Sequence, residues 1–127
     1  MIDGLFNQTN YVTAKKLLDA TMLRHEAIAS NLANIETPGY KRLDIAPSFN
    51  TELQQAMTAN DPSQIASVQP KLEVDAHAVA QGRDGNTVQL ETELANLQQN
   101  TVAHSLQTQL ITASLLRLRL AITGRPN

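Results

Sequence analysis

The chain has 127 residues, enough for one ordinary domain and too few for two. Its aromatics are Phe6, Tyr11, Tyr40 and Phe49, with no tryptophan, so buried area must come from Leu, Ile, Val and Ala, a balance suited to long helices packed side by side. Cysteine is absent and the net charge is −2 without a basic stripe, which excludes disulfides, thiolate zinc sites and a cysteine nucleophile and leaves no expectation of a nucleic-acid partner.

No apolar run approaches the roughly 18 residues that span a bilayer, so the chain is not expected to be membrane-spanning. The opening residues Met1–Phe6 lack the basic and apolar regions of a cleaved secretory leader. The first periodic block covers residues 11–36. Tyr11, Ala14, Leu18, Thr21, His25, Ile28, Leu32 and Ile35 recur at alternating spacings of three and four, a heptad seam on one helix face. Thr9 or Asn10 can cap its start. Pro38 stops it, and Pro38-Gly39 suits the central positions of a type II turn.

Residues 41–86 are interrupted by Pro47, Pro62, Pro70, Gly82 and Gly85 and read as a loop-rich insertion. Phe49, Leu53 and Met57 predict one short helix, with Ser48 as its cap, and Lys71–Asp75 alternates like a short strand.

The last block, residues 88–122, predicts a longer helix capped by Asn86 or Thr87 and stopped by Gly124 and Pro126. Its seam is Leu90, Leu94, Leu97, Thr101, His104, Thr108, Ile111, Leu115, Leu118 and Ile122, about 48 Å long at helical rise. A second apolar stripe, Leu106, Leu110, Ala113, Leu116 and Leu120, has no evident partner in the insertion, so other copies of the chain or a related protein are expected to cover it. The expected fold is all-α: one domain over residues 1–127, with the two long helices packed as an antiparallel, coiled-coil-like pair.

Reactive side chains are sparse. His25 and His104 lie on the seams and read as polar residues that tune helix register, and His77 as a solvated loop residue. Ser30, Ser48, Ser105 and Ser114 lack a base with an orienting group; Ser105 adjoins His104, but adjacent helix residues point to different faces. Glu26, Glu36, Glu91 and Glu93 read as solvated carboxylates. No catalytic, metal or cofactor site is expected. Arg117, Arg119 and Arg125 fit the negative end of the last helix, or else contact with an acidic neighbour.

The segment Ser30-Asn31-Leu32-Ala33-Asn34-Ile35-Glu36-Thr37-Pro38-Gly39-Tyr40-Lys41 resembles the signature SNxANxxTPGYK of the rod and hook axial proteins of the bacterial flagellum. In this motif Leu32 and Ile35 hold the seam. Asn31 and Asn34 sit on the flank, able to bond a neighbouring helix; Ala29 and Ala33 allow close approach; Tyr40 can cover the turn. The stretch Asp84–Leu97 is similar to the pattern DGNNVDLDKEMAKL of a rod member of that family, and Leu118–Arg125 to its ending. Thr87 departs from the usual Asn, and Val102-Ala103-His104 from a frequent LRY. The resemblance covers about 75 residues at the two ends. It implies a structural, non-enzymatic subunit exported through the flagellar type III apparatus without a cleaved leader. It further implies assembly in the periplasm as a helical layer of the proximal rod, which transmits torque and encloses the export channel. The partners implied are other copies, an FlgC-like rod protein above, and an FliE-like adaptor and the export gate below.

Overall fold

The computed structural model describes residues 8–124, arranged as α1 (Gln8–Ala33), β1 (Leu43–Ile45), α2 (Ser48–Ala59), α3 (Pro62–Ser67), β2 (Leu72–Val74) and α4 (Leu90–Thr123). The helices dominate, as the two heptad blocks predict, and a two-stranded antiparallel sheet is added to them. The long helices run antiparallel: Asn31 of α1 meets Glu93 of α4, and ten residues back along α1 the Thr21 carbonyl meets Asn100.

α1 is the central element. One face lies against α4, and the other, carrying Thr13, Lys16, Ala20 and Ala27, faces the middle segment. Thr9 and Asn10 lie inside the described helix and do not cap it. At the other end, amides of Asn34, Ile35 and Thr37 bond carbonyls three or four residues back, so the last predicted turn becomes a run of tight turns.

The middle segment is more ordered than its prolines and glycines suggest. Phe49, Leu53, Ala56, Ile65 and Val68 form the apolar core with Ala20, and Val12, Leu17 and Ile45 pack against it. The insertion therefore supplies most of the buried apolar cluster among the described residues. The period is carried by Phe49, Leu53 and Ala56; Met57 is 43% exposed, because Ala56 sits closer to the centre of the buried arc. Ser48 lies inside α2, preceded by Pro47 with no side-chain cap, so the predicted Ser48 cap is not formed. α3 was not foreseen, although its start is legible: Asp61 accepts the Ser63 amide and Pro62 takes the first helical position. β2 coincides with the alternation in Lys71–Asp75, and its partner β1 pairs Leu43 with Val74 and Ile45 with Leu72.

α4 begins at Leu90, and its face toward α1 is rotated from the predicted seam. Glu93 and Asn100 are its buried residues, with Asn96, Leu97, Ala103, Gln107, Ile111, Ser114 and Leu118 half-buried around them. Within the chain, Leu97, Ile111 and Leu118 of the seam share this face, whereas Leu90, Leu94, Leu115 and Ile122 are exposed. His25 and His104 are exposed too and tune no buried register. The cause is polar: Glu93, Asn100, Gln107 and Ser114 recur every seven residues, and the partners of the first two fix which side of the helix turns inward. Gly124, left-handed at φ +65°, closes the helix through its amide on the Leu120 carbonyl. The last turn carries no basic residue, so Arg117 and Arg119 do not serve the helix dipole there; Arg125 and Pro126 lie outside the described residues.

The small core makes a direct test possible. Phe49→Ala removes the largest side chain of the apolar cluster and should cost about 3–5 kcal/mol, whereas Met57→Ala, on the exposed side of the same helix, should stay within about 1 kcal/mol. Urea denaturation followed by circular dichroism checks both.

Candidate functional site

Among the described residues no group of three or more His, Asp or Glu side chains is placed to hold a metal. Two features remain that sequence motifs pointed to: the joint where the ends of the long helices meet, and the apolar flanks of α4.

At the joint the two matched motifs bind each other. Thr37-Pro38-Gly39-Tyr40 forms the expected type II turn, with Gly39 at φ +75° and the Tyr40 amide on the Thr37 carbonyl at 3.2 Å. The Gly39 amide then donates to the Asp84 carbonyl at 2.7 Å, the Thr87 amide to the Tyr40 carbonyl at 3.0 Å, and Lys41 Nζ to the Gly85 carbonyl at 2.9 Å. Gly85 is also left-handed at φ +77°, and a Cβ built on it would lie 3.7 Å from Gly39 Cα. Asn86 does not cap α4. Its amide nitrogen points at the end of α1 and donates to the carbonyls of Asn34, Ile35 and Thr37 at 2.8–3.0 Å, satisfying acceptors that the helix end leaves open. Thr87 is equally committed elsewhere, since its hydroxyl accepts the Arg42 amide at 2.9 Å.

The signature residues are likewise used inside the chain. Asn31, wholly buried, reads the backbone of Leu43 with both ends of its amide: Nδ2 donates to the carbonyl at 2.9 Å and Oδ1 accepts the amide at 2.8 Å. Nδ2 also donates to Glu93 Oε2 at 3.3 Å. The Tyr40 hydroxyl folds back to Ser30 Oγ at 3.0 Å and donates to Asn31 Oδ1 at 3.3 Å. Asn34 donates through Nδ2 to the Ser30 carbonyl and accepts from the Thr37 hydroxyl. Leu32 and Ile35 are half-buried, while Ala29, Ala33 and Pro38 are exposed.

Beneath this joint lies a charge network that sequence reading missed. Arg42 is buried and bonds three carboxylates: Nε to Glu93 Oε1 at 2.6 Å, and Nη1 to Asp75 Oδ2 at 2.6 Å and Asp44 Oδ2 at 3.2 Å. Asp44 is held from the other side by Arg24 of α1 at 3.0 Å. Glu93 is 0% exposed, which corrects its reading as a solvated surface carboxylate. Burial works against the charge of the Arg42 guanidinium, yet hydrogen bonds to Glu93 and Asp75 and the charges of Glu93 and Asp44 outweigh it, raising its pKa. For Asp75, burial pushes upward, but the His77 amide and the Arg42 guanidinium bring the carboxyl below its ordinary value. Arg42 and Glu93 are 51 positions apart and Arg42 and Asp75 are 33 apart, so no local spacing announces the cluster.

The second feature is the outward surface of α4. At 100° per residue, Leu90, Leu94 and Leu115 lie on one flank of its α1-facing side and Leu106, Leu110 and Ala113 on the other, with Leu116 and Leu120 turned further out. Leu120 is half-buried; Leu90, Leu94, Leu106, Leu110, Ala113, Leu115 and Leu116 are exposed. No described helix is long and apolar enough to cross a membrane.

Comparison with known proteins agrees with the motif. The profile of the family described as flagella basal body rod protein matches residues 18–41, the second half of α1 together with the turn. The chain is similar to the flagellar basal body rod protein FlgB of Borrelia hermsii, 30% identical over 76% of this chain and 83% of that protein. It is equally similar to the FlgB of Aquifex aeolicus, 30% identical over 87% of this chain and 90% of that protein, and is 29% identical to the FlgB of Aeromonas hydrophila over 80% and 83%.

Two measurements probe the network. Glu93→Ala leaves a buried guanidinium short of its partner and should lower stability by about 3–5 kcal/mol, while adding Arg42→Met should recover part of the loss; a denaturation series on the single and double variants checks this. Asp75, with its folded pKa depressed, stabilises the fold above its ordinary range near 3.8 and loses that contribution as pH falls below it. Asp75→Asn should therefore lower the urea midpoint at neutral pH, and the difference from the parent chain should shrink as pH is lowered below the ordinary carboxylate range.

Proposed function

The chain belongs to the flagellar basal body rod protein family, and from that premise we propose that it is a building block of the proximal rod. On this reading it passes through the flagellar type III export apparatus and assembles in the periplasm with other copies into a helical layer. That layer transmits torque and encloses the export channel. An FlgC-like rod protein lies above it, and an FliE-like adaptor and the export gate lie below. Its work is mechanical, not catalytic.

The observation that carries the reading is the inverted polarity of α4. The face turned to α1 holds Glu93, Asn100 and Gln107, while Leu90, Leu94, Leu106, Leu110, Leu115 and Leu116 face outward. An exposed leucine burdens a monomer, but in a densely packed assembly it becomes core. Each buried leucine contributes roughly 1.5–3 kcal/mol once covered. Two unlike apolar flanks on one helix suit a subunit with neighbours on both sides, and unlike surfaces generate rings or open helices in preference to closed dimers. The polar face favours a single α1–α4 register without consuming the leucines.

The reading is tested by Leu106→Asp combined with Leu110→Asp. Both residues are exposed, so the variant should keep its helicity and its urea midpoint within about 1 kcal/mol. In cells it should be missing from purified basal bodies, and motility should be lost. Normal incorporation of the folded variant would remove the second stripe from the interface and, with it, the main support for this reading.

A further inference from the structure

We propose that the last turns of α4 dock on a second copy of this chain, in the groove between α1 and α4 beside Met22, His25 and Glu26. The proposal rests on the rod reading above and names the surfaces that neighbouring copies use.

The occupant is the end of α4, past the level of the described residues of α1. With Thr21 level with Asn100 and equal rise on both helices, Gln8 is level with about residue 113, so the last ten or so residues of α4 run about 15 Å beyond the described part of α1. On these turns Leu115, Leu118, Arg119 and Ile122 share one face, spaced i, i+3, i+4 and i+7. Leu115 and Ile122 are 48% and 73% exposed. No acidic residue follows Glu93 in α4, whereas Arg117 and Arg119 do, and neither makes a salt bridge among the described residues. The tip is thus apolar and purely cationic.

The receiving surface offers an opposite charge and one exposed apolar side chain in a largely polar lining. A groove of about 380 Å³ runs between the two long helices, lined by Thr21, Met22, His25, Glu26, Thr101 and His104 among others. Met22 is 54% exposed, and Leu94, one heptad before Thr101 on the same side of α4, continues the apolar rim at 45%. The fixed charge in the lining is the Glu26 carboxylate, with no Lys or Arg to repel a cationic tip. Laying a helix into such a groove is an ordinary mode of recognition, with i, i+3, i+4 and i+7 anchors.

The tip cannot reach the groove of its own chain. α4 is one continuous helix, and Ile122 lies about 27 Å from His104 along it. A second copy must bring the two surfaces together. Because tip and groove are different surfaces, the contact is head to tail and repeats from copy to copy.

The absence of cysteine makes the full-length chain ready for crosslinking. A chain carrying M22C and I122C together should form a ladder of disulfide-linked oligomers under oxidation, both in concentrated solution and in isolated basal bodies. M22C or I122C alone should give no ladder and little dimer. Reversing either charge, E26R or R119E, should reduce the ladder about tenfold by setting like charges together, and combining them should restore it. The docking is overturned if the double-cysteine chain enters rods without laddering, if I122C alone gives abundant dimer, or if the paired reversal does not recover the yield. Absence of the chain from basal bodies would count against the rod reading instead, and laddering in solution would still decide the docking.

Discussion

Arg42 is the residue on which the rest of the structure depends. A buried guanidinium is costly unless its surroundings return the hydration it loses. Here the return comes from Glu93 of α4, Asp44 of β1 and Asp75 just past β2, with Arg24 of α1 steadying Asp44 from outside. β1, the stretch past β2 and α4 are thereby tied to one side chain, and α1 is joined to it through Asp44. The same side chain decides how α4 is rotated. Glu93 must face Arg42 and Asn31, and the helical period then carries Asn100 to the Thr21 carbonyl and Gln107 toward α1. Leucines one residue removed from these positions are left on the flanks.

This explains why the helices were legible in the sequence and their pairing face was not. Alternating three- and four-residue spacing identifies a helix and an apolar arc, and both long helices form where that pattern runs. It does not say whether the arc faces its own chain. The usual assumption, that apolar positions face inward, fails in α4 because turning Leu90, Leu94 and Leu115 toward α1 would part Glu93 from Arg42 and leave a buried charge unpaired. Short elements were legible where their chemistry was local, as in the Pro38-Gly39 turn, the Lys71–Asp75 alternation and the Phe49–Leu53 spacing. α3 begins with an equally local signal, Asp61-Pro62, lost among the surrounding breakers. The Arg42 network and the use of Asn86 as a clamp on the end of α1 depend on contacts across about fifty residues, for which a single sequence carries no periodic trace.

The division of labour within α4 follows from the same physics. Polar contacts between helices contribute less net stability than apolar ones, but they discriminate sharply between registers, since a slip leaves Glu93 or Asn100 buried without a partner. The apolar contribution within the chain is supplied elsewhere, by Phe49, Leu53, Ile65 and Val68 of the middle segment against Ala20. A segment that reads as an interruption thus supports α1 from behind and frees α4 from supplying the core. Its leucines can then remain outside while the fold still has an apolar centre.

The joint residues at the end of the family segment and the leucine flanks of α4 are consequently different parts of the molecule, linked through rotation. Residues 18–41, which carry the family match, contribute Arg24 and Asn31 to the joint and end one residue before Arg42. Asn31, Tyr40 and Gly39 make hydrogen bonds within the chain. What they determine is where α1 stops, how the chain returns through Asp84–Thr87, and hence which side of α4 is turned outward. A substitution at Asn31 would remove no intersubunit contact, yet it would release Glu93 from one of its two anchors and let the leucine flanks turn. Its effect on assembly would be transmitted through the angle of a helix whose exposed leucines extend to about 35 Å away from it by helical rise.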